Sequence, residues 1–230
     1  MAAIADNLQV VRTRIEAAAR AAGRDPQGVT LLAVSKTHAT ARVREAAAAG
    51  QRAFGENYVQ DAVEKIDAIA GEIPGLEWHL IGPLQSNKTR VVAERFDWVQ
   101  TVASEKIARR LAEQRPEGRG PLNVLIQVNA SGEASKSGVA PAAAAALARS
   151  LSNMKGIRLR GLMAIPEPGA PRARFSEIKA LYENLRREFA LDTLSMGMSD
   201  DMELAIAEGS TMVRIGTAIF GARQKQRSAA

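Results

Sequence analysis

The chain has 230 residues, 46% hydrophobic and 24% charged, with a net charge of +6 and no cysteine. That length suits one α/β barrel, and the absence of cysteine excludes disulfides and thiolate metal sites. The basic charge raises nucleic acid as a partner. However, the cations are interspersed with acids, as in Arg42-Val-Arg-Glu45 and Arg186-Arg-Glu188. Mixed charge of this kind is a solvated helix face, so no nucleic acid is expected.

At the start of the chain, Ile4, Leu8, Val11 and Ile15 mark one face of an amphipathic helix within residues 1–24, ended by Gly23 and Pro26. Asp6, Arg12, Arg14 and Glu16 interrupt this stretch, so a signal peptide is not expected. No run approaches the length of a membrane span. The expectation is a cytoplasmic protein with no membrane partner. Candidate strands follow at Thr30–Ser35, Arg52–Gly55, Trp78–Gly82, Trp98–Val102, Leu122–Asn129, Arg158–Ala164, Thr193–Met196 and Met212–Gly216. Helical patterns lie between them at 39–49, 57–70, 86–94, 104–115, 140–153, 171–189 and 200–207.

Strands alternating with helices imply parallel pairing through right-handed crossovers. Eight such units fit a single (β/α)8 TIM barrel, of class α/β, with an extra N-terminal helix. The second and seventh strands carry the weakest patterns. No linker divides residues 1–230, and the basic tail at 223–230 is expected to fray. The loops Asn129–Gly138 and Pro166–Pro171 follow strands and should lie on the C-terminal face, where barrels build their sites.

Lys36 closes the first strand, Val29-Thr-Leu-Leu-Ala-Val-Ser35. A lysine there either snorkels to solvent or presents a desolvated amine to a carbonyl. Ser199-Asp-Asp-Met-Glu203 and Gly216-Thr217 end the last two βα turns. The first has a capping-box spacing, so its acidic residues should open a helix. Each turn suits either an ordinary helix cap or a phosphate seat. Taken with Lys36, the two turns favour a phosphorylated aldehyde held as a Schiff base. Arg214 should share a barrel face with Gly216 and so must meet either an internal carboxylate or the ligand. Asn57 lies near the expected mouth. His79 alone reads as a hydrogen-bonded core histidine, and His38 as a surface residue. With only these histidines, no metal is expected.

These segments together resemble the YggS/PROSC family of pyridoxal phosphate homeostasis proteins. The resemblance rests on Leu32-Ala-Val-Ser-Lys-Thr37, Phe54-Gly-Glu-Asn-Tyr58, Trp78-His-Leu-Ile-Gly-Pro-Leu-Gln-Ser-Asn-Lys88, Leu194-Ser-Met-Gly-Met-Ser-Asp200 and Val213-Arg-Ile-Gly-Thr217. It implies an alanine-racemase-like barrel, fold type III among pyridoxal-phosphate proteins, without the appended β-domain. It further implies pyridoxal 5'-phosphate (PLP) as a Schiff base on Lys36, with Ser199, Gly216 and Thr217 at the phosphate. Arg214 would lie near the pyridine nitrogen or phosphate, and Asn57, His79 and Asn87 would line the mouth. The implied role is intracellular PLP (vitamin B6) homeostasis and delivery rather than established catalysis, with apo PLP-dependent enzymes as recipients. The alternative is a weak PLP-dependent amino-acid racemase. Without the racemase dimerisation domain a monomer is expected. Lys136, in the loop Ser131–Gly138, reads as a solvated lysine, with a transient landing point for the aldehyde as the alternative.

Overall fold

The computed structural model describes residues 3–132 and 137–222. Lys136 and the basic tail lie outside the described residues. Eight strands, β1 (Thr30–Val34), β2 (Ala53–Glu56), β3 (Glu77–Leu80), β4 (Trp98–Val102), β5 (Leu122–Val128), β6 (Ile157–Ala164), β7 (Thr193–Ser195) and β8 (Met212–Ile215), form a closed barrel in sequence order. Closure is made by β8 against β1, with Thr30 opposite Met212 and Ala33 opposite Ile215, all pairings parallel. The outer helices are α2 (Thr40–Ala48), α3 (Val59–Ile69), α4 (Thr89–Arg95), α5 (Glu105–Gln114), α6 (Pro141–Ser152), α7 (Arg172–Phe189), α8 (Met202–Ala207) and α9 (Thr217–Phe220).

Helix α1 (Ile4–Ala21) precedes the barrel and buries Ile4, Leu8, Val11, Ile15 and Ala19. Their spacing of three and four residues puts them on one face, and each large aliphatic side chain so buried contributes about 1.5–3 kcal/mol. That face packs on α8 and α9. Polar contacts fix its register: Asn7 Nδ2 donates to the Ile219 carbonyl at 2.8 Å, and Arg24 Nη1 donates to the carbonyls of Ile206 and Ser210. The helix thus buttresses the last two βα units.

The strands are buried on both faces, which is why they read as nearly continuous apolar runs. Period-two alternation sends Ala33, Phe54 and Leu80 outward into the main core beneath the helices. Leu32, Ala53 and Met212 form one cluster in the lumen, and Trp98, Leu125 and Met163 another. Between these apolar groups runs a buried polar chain of His79, Gln100, Ser195 and Arg214.

Boundaries differ from the sequence expectation where local chemistry is weak. The second strand runs one residue later than its apolar pattern, ending on buried Glu56. The segment at 86–94 splits into a 3-10 turn over Ser86–Lys88 and α4. The capping box at Asp200–Glu203 does not form. Asp201 is the N-cap of α8, yet its carboxylate makes no cap bond and instead accepts from the Met198 N–H. No helix among the described residues is long and apolar enough to cross a membrane.

Candidate functional site

Leu32 and Val34 face the lumen along β1, and Lys36 continues that alternation after the chain has left the sheet. The Ser35 N–H donates to the Gly55 carbonyl, a backbone tie to β2. The chain then turns back, with the His38 N–H donating to the Ser35 carbonyl at 3.1 Å. Thr37 inside this turn has φ 64°, a left-handed conformation that costs a β-branched residue energy. The turn delivers Lys36 to a cavity of about 410 Å³ at the C-terminal mouth.

The same cavity is lined by Asn57 from the end of β2, Ser199 after β7, and Arg214, Gly216 and Thr217 from β8 and the start of α9. Gly216 packs closely against β1: a Cβ there would lie 3.2 Å from the Val34 carbonyl oxygen and 3.4 Å from its Cβ, so Val34 would have to give by a few tenths of an ångström. Helix α1 reaches this region too, Arg14 Nη2 donating to the Ser199 carbonyl at 3.3 Å.

Arg214 is the most deeply buried charged side chain lining this cavity. It is 5% exposed, donating from Nη1 to Ser195 Oγ and from Nη2 to the Ala164 carbonyl, each at 2.9 Å. Both acceptors are neutral. Burial lowers its pKa to about 10, and Asp201 offsets this only in part. Between the two sequence alternatives, an internal carboxylate or a ligand, these neutral partners favour an anion or lone pair arriving from the cavity. Ser195 Oγ in turn donates to Gln100 Oε1 at 2.7 Å, which holds the guanidinium in place.

Asn57 is half-buried, and its Oδ1 is buried without a hydrogen-bond partner among the described residues. An unsatisfied acceptor of this kind costs about 1–3 kcal/mol unless a ligand donates to it. Its backbone is wedged by Gly82, where a Cβ would sit 2.0 Å from the Asn57 carbonyl oxygen. Asn57, Ile81, Ile165 and Met198 also border a second cavity of about 330 Å³, lined further by Thr101, Gln127 and Glu167. Ile165 and Met198 are 42% and 37% exposed, forming an apolar wall between the two spaces.

Two residues expected at the mouth lie elsewhere. His79 is fully buried mid-barrel, stacked on Trp98 with ring centroids 5.0 Å apart. Its Nδ1 meets Gln100 Nε2 at 3.0 Å, and burial lowers its pKa, keeping it neutral. Glu77 Oε2 is 3.7 Å from Nε2, too far to be a hydrogen bond. The core-histidine alternative is the one observed. Asn87 is exposed on the 3-10 turn and lines neither mouth cavity. The expectation for His38 also changes: it is half-buried, stacks on Phe220 at 5.1 Å and lines the Lys36 cavity. Sequence reasoning missed the buried cluster of Ser35, Glu56 and Lys65. Its only sequence signal is a lysine on the apolar face of α3, beside Ala62, Ile66 and Ile69.

The sequence profile of the alanine racemase N-terminal domain matches residues 1–224. A pyridoxal phosphate homeostasis protein of Pseudomonas aeruginosa is 59% identical over 227 residues, covering 97% of each chain. The chain belongs to the pyridoxal phosphate homeostasis protein family. Within the solved structures, PipY of Synechococcus elongatus with PLP bound superposes with a TM-score of 0.81 at 38% identity, covering 95% of this chain and 100% of that one. The alanine racemase of Corynebacterium glutamicum, 18% identical, aligns with a TM-score of 0.65 over 94% of this chain and 61% of its own. That likeness is one of fold: the homeostasis family shares the racemase barrel, and 39% of the racemase chain lies beyond the match.

Proposed function

We propose that this chain binds pyridoxal 5'-phosphate at the barrel mouth through Lys36, as a cytoplasmic, monomeric holder and donor of the cofactor rather than an enzyme. One observation carries the reading: Lys36 lines the same cavity as Arg214, a buried arginine whose side-chain hydrogen bonds go to neutral acceptors. The site fits the group in other respects. Ser199, Gly216 and Thr217 lie together on the last two βα turns, the usual phosphate position in barrels. The apolar side chains of Ile165 and Met198 suit contact with an aromatic ring, and Asn57 Oδ1 could accept a hydrogen bond from the ligand. PLP supplies an aldehyde that condenses reversibly with a primary amine.

In this reading Lys36 supplies that amine and is the point of capture and release. The Ser199 and Thr217 hydroxyls and the Gly216 backbone hold the phosphate. Arg214 faces the pyridine nitrogen or the phosphate and keeps its proton, because a guanidinium does not act as an acid near neutral pH. A ring nitrogen left unprotonated is a weak electron sink, which favours holding over catalysis.

The test is an absorbance spectrum of the purified protein with PLP, followed by borohydride reduction and peptide mapping. The expected adduct lies on Lys36; a colourless protein, or an adduct elsewhere, overturns the reading. The racemase alternative is judged with L-alanine in deuterated water, where rapid α-proton exchange abolished by Lys36→Ala would refute a pure carrier. Neither tyrosine favours that alternative by its position. Tyr182 lies on the buried face of α7 with its hydroxyl 3.4 Å from the Leu191 carbonyl, and Tyr58 is 56% exposed at the N-cap of α3. Delivery is read by reactivation of an apo PLP-dependent enzyme mixed with the loaded protein.

A further inference from the structure

A buried ion pair lies directly behind the Lys36 turn, on the outer side of the barrel. Lys65 Nζ on α3 donates to Glu56 Oε1 at 2.7 Å and to the Ser35 carbonyl at 2.8 Å. Ser35 Oγ donates to the same Glu56 oxygen at 2.6 Å. Glu56 and Ser35 are fully buried and Lys65 is 6% exposed. Ser35 is thus gripped twice, through its hydroxyl by Glu56 and through its carbonyl by Lys65. That carbonyl is also the acceptor that closes the Ser35–His38 turn. Glu56 itself ends β2 and precedes Asn57, so one pair ties together the two strand ends that present Lys36 and Asn57 to the cavity.

A buried pair of this kind is not the cheapest filling for such a space. Its desolvation cost offsets its attraction, and an apolar pair of similar volume is often as stable or more so. Burial raises the Glu56 pKa despite Lys65 and Ser35, and Glu56 Oε2 has no hydrogen-bond partner among the described residues. What an apolar pair would not do is hold the Ser35 carbonyl. Thr37 sits in a left-handed conformation, and such strain persists only where its surroundings over-determine the backbone.

We propose that Glu56 and Lys65 are positioning residues which, acting through Ser35, lock the strained Ser35–His38 turn and fix the Lys36 amine at the cavity. This rests on the proposed function only in taking Lys36 as the reacting amine. The pair does not touch the cavity; it acts through the backbone of the neighbouring residue. The same grip on β2 keeps Asn57 in register with Lys36.

The test compares wild type with Glu56→Leu/Lys65→Met, which removes both charges at similar volume, and with Ser35→Ala. Two readouts are taken: the rate of imine formation with added PLP, with borohydride trapping at Lys36, and hydrogen exchange of the amides at 36–38 in the unloaded protein. The double variant is expected to melt within a few degrees of wild type while forming the imine at least about tenfold more slowly, a loss of about 1.4 kcal/mol. Exchange at 36–38 should quicken by a similar factor. Ser35→Ala, which leaves the Lys65 bond to the carbonyl intact, should show smaller changes in the same directions. It decides the matter should the double variant fail to fold. Wild-type imine rate and exchange in every variant that folds would overturn the proposal. A wild type that forms no adduct on Lys36 would instead overturn the cofactor reading, while the exchange data still judge the lock.

Discussion

Replacing Arg214 by methionine separates what the residue does for the fold from what it does for a ligand. The guanidinium is buried on neutral acceptors, and burial lowers its pKa from the ordinary arginine value to about 10. At 1.36 kcal/mol per unit, carrying that charge costs the folded state about 3 kcal/mol. The sign follows from linkage. The folded pKa is lowered, so the unfolded chain binds the proton more tightly. The cost is therefore complete at every pH below about 10 and fades only above it. Methionine removes it but also removes the hydrogen bonds to Ser195 and the Ala164 carbonyl, and an unpaired buried carbonyl costs about 1–3 kcal/mol. The opposing terms nearly cancel.

Arg214→Met should therefore shift the unloaded melting temperature by no more than about 5 °C in a chain of this size. An ion pair broken on one side would instead lose about 3–5 kcal/mol. PLP affinity should fall about tenfold to a hundredfold, the worth of a charged hydrogen bond at about 1.5–3 kcal/mol. Thermal melts with and without PLP and an absorbance titration measure both quantities. Phosphate-free pyridoxal assigns the contact: equal losses for both ligands place Arg214 at the ring nitrogen, and a loss for PLP alone places it at the phosphate. A variant that melts more than about 10 °C lower unloaded, or that binds PLP as wild type does, refutes the reasoning.

Lys36→Ala should abolish the imine absorbance band and the borohydride-trapped adduct while leaving the melting temperature of the unloaded protein within about 2 °C, since the side chain is only partly buried; a retained band would place the Schiff base elsewhere. The pKa of His79 is lowered from 6.5 by burial, so its contribution is complete above pH 6.5 and is lost as pH falls below that value towards the folded pKa. Urea midpoints should therefore drop between pH 7.5 and 5.5 in wild type and drop less in His79→Gln, and equal slopes would refute this. Gly82→Ala forces a Cβ to within 2.0 Å of the Asn57 carbonyl and should cost about 3 kcal/mol or more by denaturant unfolding. A loss below about 1 kcal/mol would show that the Asn57 backbone yields.

Periodicity laid out the order of strands and helices, because parallel strands buried on both faces and helices buried on one leave different spacings in the chain, whereas closure is seen only in the pairing of β8 with β1. Even the three-residue β7 could be placed, by its flanking helices rather than by its own pattern. Lys36, Ser199, Arg214, Gly216 and Thr217 were legible for the same reason: each stands at the C-terminal end of a strand or in the turn just after it, and a parallel barrel gathers those ends on one face.

Contacts between residues distant in the chain were not legible. His79 and Asn87 flank one strand end in the sequence, yet one points down the lumen to Gln100 and the other out to solvent, because side-chain direction depends on the pleat and on where the strand stops. The Asp200–Glu203 spacing of a capping box was present, but Asp201 turned back to the Met198 N–H. Nothing in the sequence joins Ser35, Glu56 and Lys65, which meet only because α3 folds back over β1 and β2. The order of elements, and which strand ends carry reactive groups, followed from local spacing in the chain. Which charges are compensated was settled by the fold, which leaves Arg214 on neutral partners and pairs Lys65 with Glu56, because compensation depends on what closure of the barrel brings within about 3 Å.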